Sequence, residues 1–276
     1  MNKLSAEKQA TVAAALVEGV SIRSIERMTG IHRDTIMRLG VRVGRACERL
    51  TDGMIRNLST RHIQMDELWA YVGKKQRNLR ETDDPNMCGD FWTFLAFDTD
   101  TKLVISHRIG KRDSVNTHAF VEDLASRLKG RVELSSDMMP AYVEAVRRSF
   151  GRAVDYGRIV KTYQTVPELG RYSPPEVVSI TKDDVVGYPV QICTSHVERM
   201  NLNVRMNLRR LTRLTNGFSK KVENLKAAMA LYLAVYNLCR VHGSLRVTPA
   251  MEAGITDHVW TIDELIAAAN EDSTRR

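Results

Sequence analysis

The chain has 276 residues, 43% of them hydrophobic and 27% charged, the make-up of a soluble globular protein with one sizeable core and room for a smaller appendage. Forty-one Lys and Arg against thirty-three Asp and Glu leave a net charge of +8, which favours polyanions such as nucleic acid as partners. There is no apolar run of about 18 residues and no basic start followed by an apolar stretch, so neither membrane spanning nor export is expected. The four cysteines, Cys47, Cys88, Cys193 and Cys239, are scattered without a CxxC pair, which suits a reducing compartment and argues against a zinc finger.

In chain order, the first fifty residues read as helices. Ser5 can cap a helix whose apolar face includes Val12 and Leu16 and which ends at Gly19. Ser21 and Gly30 bracket a second, short helix, and "IHRDTIMRLGVRVGRACERL" begins a third. Helix, short helix, tight turn and helix is the helix-turn-helix pattern, in which the last helix enters the major groove. It would present Arg33, Asp34, Thr35 and Arg38, so residues 1–58 are expected to form an all-α DNA-binding domain. The alternative use of such a unit is helix packing or dimerisation.

The texture changes near Arg61. "IQMDELWAYVG" alternates like a strand, and "FWTFLAFDTDTKLVISHRIG" has two apolar runs flanking a turn at Asp98, Thr99 and Asp100, which predicts three consecutive antiparallel strands. "SVNTHAFVEDLASRLKG" is a capped helix with a stripe at Phe120, Leu124 and Leu128. "RVELSSD" is a short strand ending at Asp137, "PAYVEAVRRSFG" a helix with Pro140 in its first turn, and "AVDYGRIV" another strand. Four prolines between Lys161 and Cys193 (Pro167, Pro174, Pro175, Pro189) predict an insertion or loop over 161–193. Two long helices are expected from His196 onward, 196–215 and 219–242, then a short one near "TIDELIAAAN". Three strands, helix, strand, helix, strand and helices is the order of an α/β ribonuclease H-like fold, a mixed sheet flanked by helices. The expected domains are therefore 1–58, a catalytic unit over 59–245, and a C-terminal helical tail over 246–276.

In such a fold three carboxylates can meet: Asp66 midway along the first strand, Asp137 at the end of the fourth, and Glu198 in the first turn of the helix after the insertion. Hard oxygen ligands without cysteine suit Mg²⁺, with Mn²⁺ an alternative. Two such ions would activate a water or a DNA 3′-hydroxyl and stabilise the leaving oxygen in phosphoryl transfer. Alternation puts Asp66 and Glu67 on opposite faces, so register decides which of the two faces the metal.

These residues carry a resemblance. "MDELWAYVGKK", "SSDMMPAY", and above all "SHVERMNLNVRMNLRRLTRLTNGFSK" are similar to the catalytic motifs of insertion-sequence-one family transposases of the DDE group, and "YNLCRVHGSLRVTPAMEAGI" resembles their closing segment. The resemblance covers about Gln64 to Ile255. It implies Asp66, Asp137 and Glu198 as catalytic, metal-binding residues. It also implies a basic residue two turns after the glutamate, here Arg205, on the DNA backbone, and seven residues on a helix return to nearly the same face. Two departures stand out: Met138 replaces the glycine common after the second aspartate, and the cysteine-rich segment of many relatives is missing, leaving recognition of DNA ends to the helix-turn-helix.

Arg199, Arg205, Arg209, Arg210, Arg213, Lys220 and Lys221 follow one another with no acid among them, a run that can track phosphates. The bland reading of such a run is a solvated helix face. His196 and His242 fit packing or capping better than catalysis, and Trp69, Tyr71 and Trp92 fit core strands, with base stacking as a minor use. Together these features imply a transposase that cleaves insertion-sequence ends and joins their 3′-hydroxyls to target DNA. Its partners would be double-stranded DNA, as terminal inverted repeats and target, and further copies of itself as a homo-oligomer, in the cytoplasm at the bacterial nucleoid. A domesticated, non-catalytic DNA-binding regulator and a nuclease without strand transfer are the alternatives.

Overall fold

The computed structural model describes residues 4–164 and 176–272. The N-terminal helices form where their caps stand. The Ser5 hydroxyl accepts from the Lys8 amide at the start of α1 (Ala6–Val17), and Ser21 accepts from Ser24 at the start of α2 (Ile22–Thr29). Gly30, at φ 69°, closes α2 in the left-handed conformation that glycine adopts without strain. The third helix, α3 (Arg33–Met54), is a single rod of 22 residues. It packs against a later helix, α7 (Val222–Leu238), so closely that a Cβ on Gly44 would sit 2.0 Å from the Ala227 carbonyl oxygen. Val12, Ile25, Ile36 and Val43 therefore share one buried cluster with Leu231 and Leu233.

The sheet comprises β1 (His62–Val72), β2 (Gly89–Asp98), β3 (Val104–Gly110), β4 (Val132–Ser136), β5 (Val154–Gln164) and β6 (Glu176–Val186), in the order β3-β2-β1-β4-β5-β6. β3, β2 and β1 are antiparallel neighbours, β1, β4 and β5 are parallel, and β6 returns antiparallel to β5. This is the ribonuclease H-like arrangement, a mixed sheet flanked by helices. The helices α4 (Ser114–Ser126) and α5 (Pro140–Phe150) cover one face, where Phe94 meets Phe120 and Phe120 meets Tyr142. On the other face, α6 (Ser195–Asn207) is pinned to β1: the amides of His196 and Val197 both donate to Gln64 Oε1. α7 (Val222–Leu238) grips β3 through Asn237, whose amide group accepts from the Val104 N–H and donates to the Val104 carbonyl. Two short helices follow, α8 (Pro249–Glu252) and α9 (Ile262–Asp272), the latter against α3. No described helix is long and apolar enough to cross a membrane.

Arg127, buried just past α4, locks the N-terminal helices to the sheet layer. It donates to Asp123 at 2.8 Å, to Asp52 on α3 at 2.6 Å and to the Ile55 carbonyl at 3.1 Å.

Two expectations are corrected. The segment 161–193, expected as an insertion or loop, carries strand in part: β5 runs on to Gln164, and residues 176–186 form β6. Pro189 stands past the end of this edge strand and does not interrupt it, while Pro167, Pro174 and Pro175 lie outside the described residues. Nor does the helix expected over 196–215 continue past Asn207. Leu208 turns extended, Arg209–Leu211 make a single 3-10 turn, and the chain folds back to bury Leu208 and Leu211.

Candidate active site

Pairing between β1 and β4 ends at Met65 with Ser136, so in the same parallel register Asp137 leaves β4 beside Asp66. There the carboxylates of Asp66, Glu67 and Asp137 converge, with one oxygen from each lying within 4.8 Å of the others. Register was the open question between Asp66 and Glu67, and both reach the cluster. Asp66 faces α6, and its Oδ2 accepts from Asn201 Nδ2 at 2.7 Å. Glu67 points toward α5 and the buried Tyr142, with a side chain only 2% exposed. Asp137 Oδ1 accepts from the Met139 amide at 3.0 Å, holding the turn into α5, while Met138 projects outward, 50% exposed. A glycine is thus not required after this aspartate.

Glu198 sits in the first turn of α6, where Thr194 Oγ1 donates to it at 2.7 Å and Lys161 on β5 forms an ion pair with it. It is near enough for its charge to act on Asp66, but its oxygens are outside the tight cluster of three. Arg205 lies on the same stripe of α6 and is half-buried. It donates to the Trp69 carbonyl at 3.1 Å and to the Leu211 carbonyl at 3.2 Å, and burial, with Arg213 nearby, lowers its pKa to about 10. Arg199, Arg209 and Arg213 are exposed, as are Arg33 and Arg38 at the start of α3. The break after Asn207 places Arg209 and Arg213 on the turn beyond α6.

The electrostatics ask for a cation. Burial, then the charges of Asp137 and Glu198, push Asp66 up to about 7, against the lowering hydrogen bond from Asn201. Burial and Asp137 push Glu67 up to about 8, against Arg112. Arg112 Nη2 lies 3.7 Å from Glu67 Oε2 and 3.8 Å from Asp137 Oδ2, a protein cation between two of the three acids. Glu67 Oε1 is buried without a well-formed hydrogen bond among the described residues, the buried Tyr142 hydroxyl making only a weak one to this carboxylate. Clustered hard oxygens, one of them poorly satisfied, fit a divalent cation.

Asn201, Arg112 and Lys161 were not foreseen as site residues. Asn201 had a usable signal: it lies three residues after Glu198, on the same helix face. Arg112 and Lys161 come from distant segments, and only the tertiary fold brings them in.

A mixed sheet of this topology, with acids meeting beside its central strand, places the chain in the ribonuclease H-like class. Within that class its sequence is similar to the InsB proteins of insertion element IS1, the resemblance its motifs suggested. It is 27% identical to InsB of Shigella flexneri over 172 residues, covering 62% of this chain and 93% of that protein. With InsB of Shigella sonnei it shares 28% over 174 residues, again 62% and 93%, and with an InsB protein of Escherichia coli K12 28% over 62% and 73%. No family model matches the chain. Among solved structures, the piggyBac transposase synaptic complex with hairpin DNA aligns with 98% of this chain and 71% of that one at 10% identity, a loose likeness with a TM-score of 0.46.

Proposed function

We propose that the chain is a DNA transposase that cleaves the ends of an insertion sequence and joins their 3′-hydroxyls to target DNA. The observation that carries this reading is the convergence of Asp66, Glu67 and Asp137 beside α6, which bears Glu198, in a chain related to insertion-element proteins. Asp66 and Asp137, with Glu198, would hold Mg²⁺ or Mn²⁺, as two ions, and Glu67 adds a fourth carboxylate at the same place. When bound, such ions supply an activated water or 3′-hydroxyl and stabilise the leaving oxygen.

The rest belongs to the chain. Asn201 orients the Asp66 carboxylate, and Arg205 braces α6 on β1 with donors to spare for a phosphate. Exposed Arg199, Arg209 and Arg213 supply backbone phosphate contacts, while Arg33 and Arg38 on α3 read the terminal repeats. The units 1–58, 59–245 and 246–276 divide this work, and a homo-oligomer would hold two DNA ends together. The protein would act at the bacterial nucleoid.

The test is strand joining by the purified chain on DNA carrying the element's ends. Wild type should cut and join with Mg²⁺ or Mn²⁺, and Asp66→Asn, Asp137→Asn and Glu198→Gln should each lose both products. Variants as active as wild type overturn the assignment, cutting without joined product points to a plain nuclease, and binding alone to a regulator.

A further inference from the structure

The face of the sheet that carries Glu67 does not end at the carboxylates. Residues two apart on a strand share a face, so Trp69 and Tyr71 follow Glu67 along β1. Across the ladder Trp92 is the partner of Trp69. Phe218, from the turn after α6, closes the patch at 4.5 Å from Tyr71, and Trp69 lies 6.0 Å from Tyr71. All four rings are half-buried, whereas Phe94, farther along the same face, is fully buried against Phe120 of α4.

Cations rest on these rings. Lys220 Nζ is 3.2 Å from the Phe218 ring centre, Lys75 Nζ is 5.9 Å from that of Tyr71, and the Arg112 guanidinium is 5.0 Å from that of Trp92. Arg112 is also the residue beside Glu67 and Asp137, so patch and carboxylates share one side chain. Lys75 and Lys220 are exposed and have no carboxylate within ion-pair distance among the described residues. Accessible rings flanked by unneutralised ammonium groups are complementary to a strand that offers base faces and phosphates together.

We propose that Trp69, Tyr71, Trp92 and Phe218 form a stacking platform for unpaired nucleobases of the DNA strand next to the carboxylate cluster, with Lys75 and Lys220 holding its phosphates. This rests on the reading of the site as one that handles DNA. It adds a preference for frayed or single-stranded ends that the carboxylates alone do not explain. Every base has a π-face, so the platform is blind to sequence and selects strand state.

The test avoids chemistry by using the full-length Asp66→Asn chain. The probe is a short duplex, either blunt or ending in a few unpaired nucleotides, one of them 2-aminopurine. The overhang should bind roughly ten-fold more tightly than the blunt form and its fluorescence should be quenched, as expected for about one stacked base. Trp69→Leu and Trp92→Leu should each erase most of that preference and quenching while blunt-duplex affinity holds. Trp69→Phe, which keeps a ring and guards against a folding defect, should retain both, and Arg209→Ala should weaken both probes alike. Equal affinity for the two probes, or full quenching in Trp69→Leu, overturns the platform. If wild type joins DNA ends yet shows no overhang preference, the platform alone is wrong. If the preference stands and no joining occurs, the transposase reading fails and the platform survives.

Discussion

Glu67 offers a sharp test of the electrostatic account, because its neutral isostere should stabilise the metal-free protein at one pH and not at another. Its carboxyl is raised from 4.5 to about 8, chiefly by burial. At about 1.4 kcal/mol per unit, roughly 5 kcal/mol is the ceiling on the cost of ionising it in the folded chain. Water entry and the nearby Arg112 reduce that, leaving about 2 kcal/mol as the working figure. A folded pKa above the unfolded one means that Glu67 favours the fold below about 4.5, and that this contribution is lost as pH rises through about 8. Glu67→Gln removes the titration. In chelator, it should unfold on the order of 5 °C higher than wild type at pH near 8, with little difference at about pH 4, where the glutamate is mostly neutral in the folded and the unfolded chain alike. Thermal melts of the two proteins across that range measure it. A glutamine variant no more stable than wild type at the alkaline end, or stabilised equally at both ends, would refute the claim that buried, crowded carboxylates await a cation.

Gly44→Val forces a side chain into the Ala227 backbone where α3 crosses α7, and should cost about 3 kcal/mol in denaturant unfolding. Arg127→Ala leaves Asp123 and the Ile55 carbonyl without their shared donor, and a loss of about 3 kcal/mol is expected in the same measurement. Arg209→Ala and Arg213→Ala should each lower the slope of log affinity against log salt on duplex DNA by about 0.9, since each exposed guanidinium neutralises one phosphate. Unchanged slopes would remove both from the DNA path.

The sequence is most legible where one local rule acts alone. Ser5, Ser21 and Gly30 announce the first helices because capping is decided within four residues, and the alternation of apolar with other residues announces β1 for the same kind of reason. Legibility fails where tertiary burial outweighs local preference. The run after Asn207 has good helix formers, yet burying Leu208 and Leu211 turns the chain, so Arg209 and Arg213 leave the helix that the pattern predicted. In 161–193 the number of prolines hides their place in the sequence: they stand outside "EVVSITKDDVV", which pairs with β5 as the sheet's edge strand. Asp66 and Asp137 are readable as candidates from their strands, but Glu67 is not resolvable from Asp66, because the end of the β1–β4 ladder lets both faces reach Asp137.

Glu198 shows how far backbone placement and side-chain placement separate. Asn201 and Arg205, three and seven residues on, both bond to β1, so the stripe of α6 that bears Glu198 is already turned toward Asp66. Its carboxylate lies outside the group of Asp66, Glu67 and Asp137 and is held instead by Lys161 and Thr194. Arg112 after β3 thus lies against Glu67 and Asp137 while Lys161 on β5 lies against Glu198, and a divalent ion held by these acids must compete with both. Replacing Lys161 by Met should therefore tighten Mn²⁺ binding. The Glu198 side chain is 45% exposed and such a pair is worth at most about 1 kcal/mol, so a gain of up to roughly five-fold is expected. Titration of free Mn²⁺ by electron paramagnetic resonance reads this without turnover, and Lys161→Arg, which keeps the charge, should bind as wild type does. If Lys161→Met binds Mn²⁺ no better than wild type, Lys161 is not what holds Glu198 away, and the helix itself would have to move to complete the site.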